Sequence, residues 1–558
     1  MPQYLSPGVY VEEVPSAVKP IAGVSTSTAG FIGIVPEQLA VPPTVLTRTQ
    51  RIEGANGTTK TFDLDAYPVV TTDNTYEVRV GNQQVGAKLK NDKETEKSQV
   101  TLNDPPPKGA VITVDYTVDA RRGVDIGTWG GPSKKFNLPT KGYPVVTDPT
   151  FFRIVIGDSP TAATEVAARL DNTIVTEEGD DKGKLIPAAT ITGDVPDALK
   201  TKKVFADFRT FQPFKPTVPV GEAILCTSFT EYTNAFGDFS LDPNHRQLTH
   251  AVYGFFNNGG TRCYVARLTS EGDVDKALSA FELIDEISLV AAPGLTSNTI
   301  RSKIVTHCEK MGNWFAILDG PATETTLANL TTVGGEGKMP GRTDYAAWYF
   351  PWIKVFDPVA KKYGGSTDGL VGVPPSGHIA GVYARVDNER GVHKAPANET
   401  IRGALDVTQR LSKAHQDGLN PKGVNCIRLL NDNILVWGAR TVGGDANTDL
   451  KYINVRRTLI FLRESIDLGT QWAVFEPNSP ALWQRISRTV NAFLTNVWRS
   501  GALFGETPAQ AFYVKCDKET NPQSSIDAGC VVTEIGVAIV RPAEFVIFRI
   551  SQMAGGGS

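Results

Sequence analysis

The pattern of hydrophobic and polar residues changes character along the chain. From about residue 42 to residue 219, short alternating apolar and polar stretches are separated by turn residues, which predicts an all-β region. From residue 221 onward, apolar strand-like runs alternate with segments of helical periodicity. Strands are expected at residues 262–268, 289–292 and 314–318, with helices at 274–287 and 299–311 between them. This order of elements predicts a parallel sheet with right-handed crossovers.

The last third of the chain opens with two long amphipathic helices, expected at about Tyr452–Leu468 and Ala481–Arg499. A further strand is expected before them at 348–356, where Pro351 favours a position near a sheet edge. Three more strands are expected after the helices, at 511–514, 531–540 and 544–550. The predicted fold class is therefore α/β in the broad sense of mixed α+β, with several domains.

The all-β region contains an internal repeat, which predicts two related small β modules inserted as a unit. Each copy has an aromatic signature, a YPVVT segment, a strand ending in glycine and a closing strand. The first copy uses Phe62–Leu64, Tyr67–Thr71, Glu77–Gly81 and Ala110–Tyr116, and the second uses Phe136–Leu138, Tyr143–Thr147, Arg153–Gly157 and Val204–Arg209.

Both ends of the chain read as isolated strands. Near the N-terminus, Val9, Tyr10, Val11 and Val14 have high strand propensity, and Glu12 and Glu13 suit an edge position. At the other end, the expected strand at 544–550 contains Phe545, Ile547 and Ile550. A lone strand cannot satisfy its own backbone groups, so each of these segments must pair with something.

Composition narrows the function classes. The chain has 558 residues, enough for about three to four domains, and its formal charge of −4 gives no global attraction to nucleic acid. We expect no signal peptide and no membrane-spanning helix, because no basic segment precedes an apolar one and no apolar stretch approaches about 18 residues. The six scattered cysteines form no metal-binding spacing and are expected to be buried free thiols in a reducing cytoplasm.

Candidate chemistry is sparse. The glycine-rich stretch Gly334–Lys338 lacks the Ser or Thr of a phosphate-binding loop, because Met339 follows the lysine. The six histidines form no HExxH motif, and Ser376 does not lie in a GxSxG motif, although a Ser–His pair stays open. We therefore expect no catalytic site, no cofactor and no metal. Three arginines on the first long helix, Arg456, Arg457 and Arg463, are interpreted as a solvated or partner-facing side.

Several segments together resemble the contractile tail sheath family of phages and contractile injection systems. The resemblance covers about residues 1–35 and 221–552, in the family order. It is carried by Tyr4–Glu13, Gly23–Gly33, Ala251–Leu268, Pro374–Asn388, Gly391–Asn398, Asn420–Arg428, Val436–Thr441, Tyr452–Pro477 and Trp498–Glu506. The all-β insertion departs from the smaller members of that family.

The resemblance implies five parts. They are an N-terminal arm and the strand that follows it at 1–40, an inserted β region with two related modules at 41–220, an α/β core domain at 221–375, a C-terminal sheath domain with a terminal donated strand at 376–552, and a flexible tail at 553–558.

The resemblance also implies a function: a non-enzymatic subunit of stacked hexameric rings around an inner tube, which contracts to drive the tube through a target envelope. Implied partners are further copies of the chain, the inner tube protein, and baseplate and terminator or cap proteins, with no nucleic acid and no membrane insertion. Expected inter-subunit strand exchange would use Val9, Tyr10, Val11 and Val14 at one end and Phe545, Ile547 and Ile550 at the other.

Arg456, Arg457 and Arg463 are candidate tube contacts on the helix at 452–468. The chain is expected to be assembled in the bacterial cytoplasm into a virion tail or an injection-particle sheath. Three alternatives stay open from the sequence: another structural tail or baseplate component, an adhesin-like protein built on the β modules, and an enzyme on a doubly wound scaffold.

Overall fold

The structure is a computed structural model of the chain. It describes residues 21–41, 47–64, 68–71, 76–92, 95, 97–117, 121–130, 134–139, 145, 152–174, 185–335, 338–363 and 368–548. The predicted N-terminal strand with Val9, Tyr10, Val11 and Val14 lies outside these residues, and so does Ile550.

The chain enters its core through β1 (Ala29–Ile34) and then forms β2 (Leu39–Val41). Phe31 and Ile32 in β1 are both fully buried and point into different hydrophobic clusters, one on each side of the sheet. An apolar run without polar alternation is typical of a strand covered on both faces.

The inserted region begins with a seven-stranded β-sandwich, here called the first sandwich. Its strands lie in two sheets with the orders β3-β9-β5-β6 and β4-β8-β7, which share one hydrophobic core. The strands are β3 (Thr47–Ile52), β4 (Thr61–Leu64), β5 (Glu77–Val80), β6 (Gln83–Gln84), β7 (Ala87–Asp92), β8 (Lys97–Leu102) and β9 (Ile112–Thr117).

The second sandwich repeats this arrangement around a core of its own, with the sheet orders β10-β16-β12-β13 and β11-β15-β14. Strand for strand, the two orders correspond, as the sequence repeat predicts. Their origin as a duplicated unit stays a prediction. The strands are β10 (Arg121–Thr128), β11 (Lys135–Asn137), β12 (Arg153–Ser159), β13 (Ala162–Val166), β14 (Ala168–Ile174), β15 (Leu185–Ile191) and β16 (Lys203–Phe208).

In the described residues, a short ribbon connects the two sandwiches to the rest of the chain. β17 (Gln212–Phe214), which follows the second sandwich, pairs antiparallel with β2, which precedes the first. The chain therefore enters and leaves the inserted region at the same place, as expected of an inserted unit.

The region that follows alternates strands and helices. Its strands are β18 (Ala223–Cys226), β19 (Cys263–Leu268), β20 (Leu289–Ala291), β21 (Phe315–Asp319), β22 (Ala346–Phe350), β23 (Ile353–Phe356), β24 (Leu370–Val373), β25 (Glu399–Thr400), β26 (Ala404–Val407), β27 (Val424–Leu430) and β28 (Asn433–Trp437). Its helices are α1 (Phe229–Phe236), α2 (Pro243–Asn257), α3 (Val274–Glu282), α4 (Asn298–Met311), α5 (Pro358–Tyr363), α6 (Ser376–Arg390) and α7 (Lys413–Leu419).

Nine of the strands form the main sheet, in the order β18-β19-β1-β20-β21-β22-β27-β28-β25. Pairing is parallel from β19 to β27 and antiparallel at both ends. Residues of α2 and α6 pack against one face, and residues of α3 and α4 pack against the other. The predicted parallel sheet is confirmed, but it continues past residue 375, so the predicted division there cuts through one sheet.

The strand predicted at 348–356 is wrong in its extent and position. The chain forms β22 before Pro351 and β23 after it, and the two strands belong to different sheets. β22 lies inside the main sheet, and Trp348 and Phe350 are fully buried. Pro351 falls between the strands, where its missing N–H removes no ladder hydrogen bond, so it imposes no edge position on β22.

The C-terminal part contains α8 (Ile453–Thr470), α9 (Pro480–Arg499), α10 (Pro508–Ala511), β29 (Phe512–Lys515), α11 (Gln523–Asp527) and β30 (Glu534–Val537). Both predicted long helices and the strand after them are confirmed. Short 3-10 helices lie at Asp197–Leu199, Glu271–Asp273, Leu327–Thr331, Asn420–Lys422, Gly444–Ala446 and Gln471–Ala473.

The cysteines are only partly as expected. Cys226, Cys263, Cys308 and Cys426 are buried free thiols, whereas Cys530 is exposed. Cys530 lies in the turn between α11 and β30, where the local backbone, rather than a hydrophobic face, sets its position.

Candidate assembly surface

The final described segment runs beside a neighbouring loop after β30. Ala538 N donates to Ala511 O at 2.8 Å, and Phe504 N donates to Ala538 O at 2.7 Å. Val540 N then donates to Ala502 O at 3.2 Å. These bonds hold the segment in place through residue 540.

Glu544 is the next fixed point of this segment. Arg440 donates to its two carboxylate oxygens from Nε at 2.9 Å and from Nη2 at 2.8 Å. Asn420 Nδ2 donates at 2.7 Å, and the Tyr452 hydroxyl donates at 3.0 Å. We call these four residues the Glu544 cluster. The Arg440 side chain is 3% exposed and that of Glu544 is 18% exposed, so the cluster is largely closed to water.

The electrostatics of the cluster favour the charged forms. Burial raises the pKa of Glu544, but the hydrogen bonds from Arg440 and Asn420 outweigh it and hold this pKa below its ordinary value. Burial lowers the pKa of Arg440, but the carboxylates of Glu544 and Asp445 raise it above its ordinary value overall. A bidentate pair between two ionised groups is among the strongest and most directional side-chain contacts.

The residues directly after Glu544 are apolar and exposed. Phe545 and Val546 are each 70% exposed, Ile547 is 78% exposed and Phe548 is 85% exposed. We call Phe545–Phe548 the apolar run. The strand predicted at 544–550 is absent from its described part, because none of the described strands lies beside it. A contiguous exposed apolar run of this kind marks an interaction site.

The small sheet formed by β29 and β30 has unpaired strand edges in the described part of the chain. These strands pair antiparallel from Phe512↔Val537 to Lys515↔Glu534, and in the described part of the chain they have no further partner. Phe512 packs into the core around α9, whereas Tyr513, on the other face, is 59% exposed. A two-stranded sheet is marginal by itself, and each of its edges is a template for an added strand.

The N-terminal segment is anchored on α8. Val24 N donates to Ser465 Oγ at 3.2 Å. Ile21 lies so close to Gly469 that a Cβ at this glycine would come within 2.5 Å of the isoleucine side chain. The segment that leads to the undescribed N-terminal residues therefore starts at the C-terminal end of this helix.

A buried ion pair fixes the same segment further along. Arg457 donates from Nη1 and Nη2 to Asp387 at 2.9 and 2.5 Å, and Nη2 also donates to Thr26 O at 2.8 Å. The Thr26 hydroxyl donates to Asp387 at 2.6 Å, and the guanidinium lies 4.7 Å from the Tyr383 ring centroid. Helices α6 and α8 and the N-terminal segment are thus joined at one point.

This geometry corrects the interpretation of Arg457 as part of a solvated helix side. Its side chain is 3% exposed, because Asp387 and Thr26 lie on the inner side of α8. Arg456 is largely buried as well, since it pairs with Asp344 and lies over the Tyr345 ring. The side chain of Arg463 is 60% exposed, so of the three arginines it alone stays accessible as a tube contact, which remains a prediction.

Helix α8 therefore carries the attachment points of both terminal segments. Asn454 Nδ2, at its beginning, donates to Val540 O at 3.1 Å, and Ser465 and Gly469 near its end hold the N-terminal segment. At 1.5 Å per residue, the 15 residues from Asn454 to Gly469 separate the two attachment points by about 22 Å.

The possible Ser–His pair at Ser376 is replaced by a contact with an acid. The Ser376 hydroxyl donates to Asp319 at 2.7 Å, and its backbone N–H donates to the same carboxylate at 2.8 Å. Burial raises the pKa of Asp319 to about 6 against the effect of these hydrogen bonds. Ser376 thus joins the start of α6 to the end of β21, which is a structural role.

The described residues show neither a metal-binding cluster nor a membrane-spanning helix. Among the described residues, no group of three or more His, Cys, Asp or Glu side chains is arranged to hold a metal ion. Within the same residues, no helix combines the length and apolar character that crossing a membrane requires.

Sequence reasoning identified the apolar run but missed the Glu544 cluster. Arg440 and Tyr452 lie within the family-like segments, and Glu544 has the sequence pattern of an ordinary strand residue. The available signal was a single carboxylate directly before four apolar residues. Its partners lie 92 to 124 residues earlier in the chain, so sequence distance concealed them.

Comparisons with known proteins agree on one family. Residues 269–442 match the model described as phage tail sheath protein central domain, and residues 445–553 match the phage tail sheath C-terminal domain. Over 266 residues the chain is 26% identical to the tail sheath protein of Burkholderia phage BcepMu. That alignment covers 46% of this chain and 53% of the phage protein, so the chain spans about half the length of this curated relative.

Solved structures give the same result. The chain is 31% identical to a chain in the 6-fold symmetrised cryo-EM structure of the anti-feeding prophage baseplate, with a TM-score of 0.51. The alignment covers 61% of this chain and 90% of that one. It is also 31% identical to a chain of the PVC sheath complex in its contracted state, from an extracellular contractile injection system, with a TM-score of 0.52 and coverages of 60% and 88%.

Proposed function

This chain belongs to the contractile tail sheath family, and we propose that its copies stack as hexameric rings around an inner tube and contract to drive that tube through a target envelope. Members of this family are structural proteins and not enzymes. The chain is accordingly a structural subunit of a phage tail or injection-particle sheath.

We propose that the terminal segments link neighbouring copies by strand exchange. The observation that carries this proposal is the contrast at Glu544, where a segment held by four partly buried hydrogen bonds is followed by the exposed apolar run. The open edges of β29 and β30 are complementary to such a segment, since an added strand gains backbone hydrogen bonds and buries its apolar side chains. The acceptor is a second copy of the same chain.

The N-terminal segment, with Val9, Tyr10, Val11 and Val14, is proposed to donate a strand in the same way. Its support is the anchoring of residues 21–26 on α8, which gives the N-terminal end of the described chain a fixed point of attachment. Because α8 is rigid, subunits joined by both segments can rotate as bodies while the strand pairing is kept.

Contraction needs an energy source, and we propose that it is new burial between subunits. At about 25 cal/mol per Å², burying about 300 Å² more apolar surface per subunit contributes about 7 kcal/mol before polar desolvation is subtracted. Summed over many subunits, this drives a tube through an envelope without nucleotide hydrolysis.

The two sandwiches are proposed to form a peripheral unit that is dispensable for polymerisation. Each has its own hydrophobic core, and one two-stranded ribbon joins them to the rest of the chain. The anti-feeding prophage chain aligns over 90% of its length while leaving 39% of this chain unmatched, and the insertion at 41–220 makes up about a third of this chain. Deleting it should leave sheath-like polymers, and loss of folding would contradict a peripheral position.

The remaining partners follow from the same proposal. The inner tube protein is expected to meet the sheath near Arg463, and baseplate and terminator proteins are expected at the two ends of the polymer. Assembly is expected in the bacterial cytoplasm.

Electron microscopy of truncated chains tests the strand exchange. Removing residues 545–558, or residues 1–14, should yield folded subunits that do not polymerise, because the donated strand is gone. Removing only residues 553–558 is the matched control, since it shortens the same end but keeps the apolar run. Cylinders of normal length from the 545–558 deletion would contradict the proposal.

A further inference from the structure

The apolar run does not specify its own strand register. In an extended strand, alternate side chains point to opposite faces, and a slip of one residue exchanges the faces. Registers are well defined where one face is polar and the other apolar. Phe545, Val546, Ile547 and Phe548 are all apolar, so either face of the run fits an apolar surface.

The Glu544 cluster supplies a fixed reference directly before this run. Its donors come from three places: Asn420 after α7, Arg440 after β28, and Tyr452 at the start of α8. Arg440 is itself held, because Asn425 Oδ1 accepts from its backbone N–H at 2.8 Å and Asn420 O accepts from its Nη1 at 3.2 Å. The cluster is therefore a rigid part of the fold that includes the main sheet.

The cluster accepts one residue of the segment and excludes its neighbours. Ala543 and Phe545 carry no carboxylate, so a shift by one residue in either direction leaves Arg440 without its bidentate partner. Upstream, Asn454 Nδ2 binds Val540 O and limits sliding from that side.

We propose that the Glu544 cluster sets the register and the face with which the apolar run enters a second copy of this chain. With Glu544 directed inward to Arg440, an extended run places Val546 and Phe548 on the side of Glu544, and Phe545 and Ile547 on the opposite side. Glu544 and Arg440 are positioning residues, since they act on the strand that follows. This inference rests on the proposed function, in which the run pairs with another copy.

Insertions between Glu544 and Phe545 test this proposal in the full-length protein. One inserted alanine exchanges the faces of the run, whereas two inserted alanines restore them. The polymerised fraction, measured by sedimentation and electron microscopy, should fall at least about tenfold with one alanine and clearly less with two, because only the single insertion reverses the faces. The insertions lie where no backbone hydrogen bond is made in the described chain, so the subunit fold should be unchanged, as circular dichroism and thermal unfolding would verify.

Combining the insertions with Glu544→Gln gives the decisive comparison. Without the ionised carboxylate the segment can slide, so the one-alanine and two-alanine insertions should then differ by less than about twofold. Tyr452→Phe, which removes one hydrogen bond from the same carboxylate, should reduce the difference partially. Glu506→Gln is the matched control, because this exposed carboxylate lies outside the cluster and should leave the full difference.

The outcomes separate this inference from the proposed function. If removing residues 545–558 leaves polymerisation intact, strand exchange by this end fails, and the inference fails with it. If that deletion stops polymerisation but one and two alanines have equal effects while Glu544 is present, the register inference alone is overturned. A steady decline with insertion length would also overturn it, since distance and not face would then be the controlling variable.

Discussion

The main sheet and the small sheet of β29 and β30 differ in how completely their strand edges are paired and their faces are covered within the described chain. In the main sheet, central strands such as β1 and β22 are paired on both sides and covered by helices on both faces. The small sheet has two strands, open edges and an exposed Tyr513. The first region pairs its central strands and covers its faces by itself, whereas the second is left, in the described part of the chain, with unpaired edges that we propose strands from other copies complete. Under the proposed strand exchange, stability and assembly depend on different regions of one chain.

The largest expected effect is in the main sheet. Trp348→Ala removes a fully buried indole from β22, on which Arg301 also stacks at 4.7 Å, and should lower the free energy of unfolding by about 4 kcal/mol. Urea denaturation of the dispersed subunit measures this loss. Tyr253→Ala is the matched control, since this aromatic ring on α2 is 44% exposed. Equal losses of unfolding free energy from both variants would contradict the larger contribution expected from the buried ring of the main sheet.

The contact between α8 and the N-terminal segment comes next. Arg457→Met leaves Asp387 buried without its cation, which should cost about 3 kcal/mol of folding free energy. Adding Asp387→Asn should recover part of the loss, because the stranded charge is then removed. Arg463→Met should change the stability by less than about 0.5 kcal/mol, because its side chain is exposed. No recovery in the double variant would show that the ion pair is not the cause.

Acid should lower the free energy of unfolding through two buried histidines on the helices that cover the main sheet. Burial lowers the pKa of His245 to about 4 and that of His378 to about 3. In the unfolded chain both histidines bind a proton near pH 6.5, whereas in the folded chain they stay neutral to a lower pH. Their contribution to stability is therefore fully present above pH 6.5 and is lost as the pH falls below it.

Asp319 has its pKa raised to about 6, so its carboxylate binds a proton more readily in the folded chain than in the unfolded chain. Its protonation therefore offsets part of the loss of stability as the pH falls. Between pH 7.5 and pH 5 the net decrease should be about 2 kcal/mol, read from urea titrations at each pH. His378→Gln should flatten this dependence, because it removes one of the two buried imidazoles. A pH-independent stability would contradict the buried neutral histidines.

The smallest effect on the subunit is expected in the small sheet. Tyr513→Ala should lower the free energy of unfolding by less than about 1 kcal/mol, because the ring is mostly exposed before assembly. The same substitution should reduce the polymerised fraction measured by sedimentation, because an added strand would cover the ring. A variant that loses stability but polymerises normally would place the role of Tyr513 inside the subunit.

Much of the fold could be predicted from local patterns. The stripes of α8 and α9 and the strand–helix alternation around β19, β20 and β21 are periodic signals that depend on nearby residues. The sequence repeat predicts two similar modules, and the two sandwiches have matching strand orders. The strand predicted at 544–550 was wrong for its described part, because none of the described strands lies beside it to supply the partner that a strand needs.

The candidate site was less predictable. Arg457 sits among arginines on an amphipathic helix, where its burial depends on Asp387, 70 residues away. Glu544 likewise acquires its role from Arg440, 104 residues earlier. Neither pairing leaves a local trace, since a charged residue has the same sequence pattern whether it faces water or a distant partner.

The sequence by itself determined the mixed α+β class, the similarity of the two β modules and the apolar character of the chain end, because each depends on composition and short-range periodicity. The family followed from the resemblance of several long segments and not from periodicity. The tertiary structure alone decided which charges are buried, where the two terminal segments are anchored and which sheet is left open. Those properties arise where elements distant in sequence meet, and there the burial and pairing of a group depend on neighbours that only the folded chain supplies.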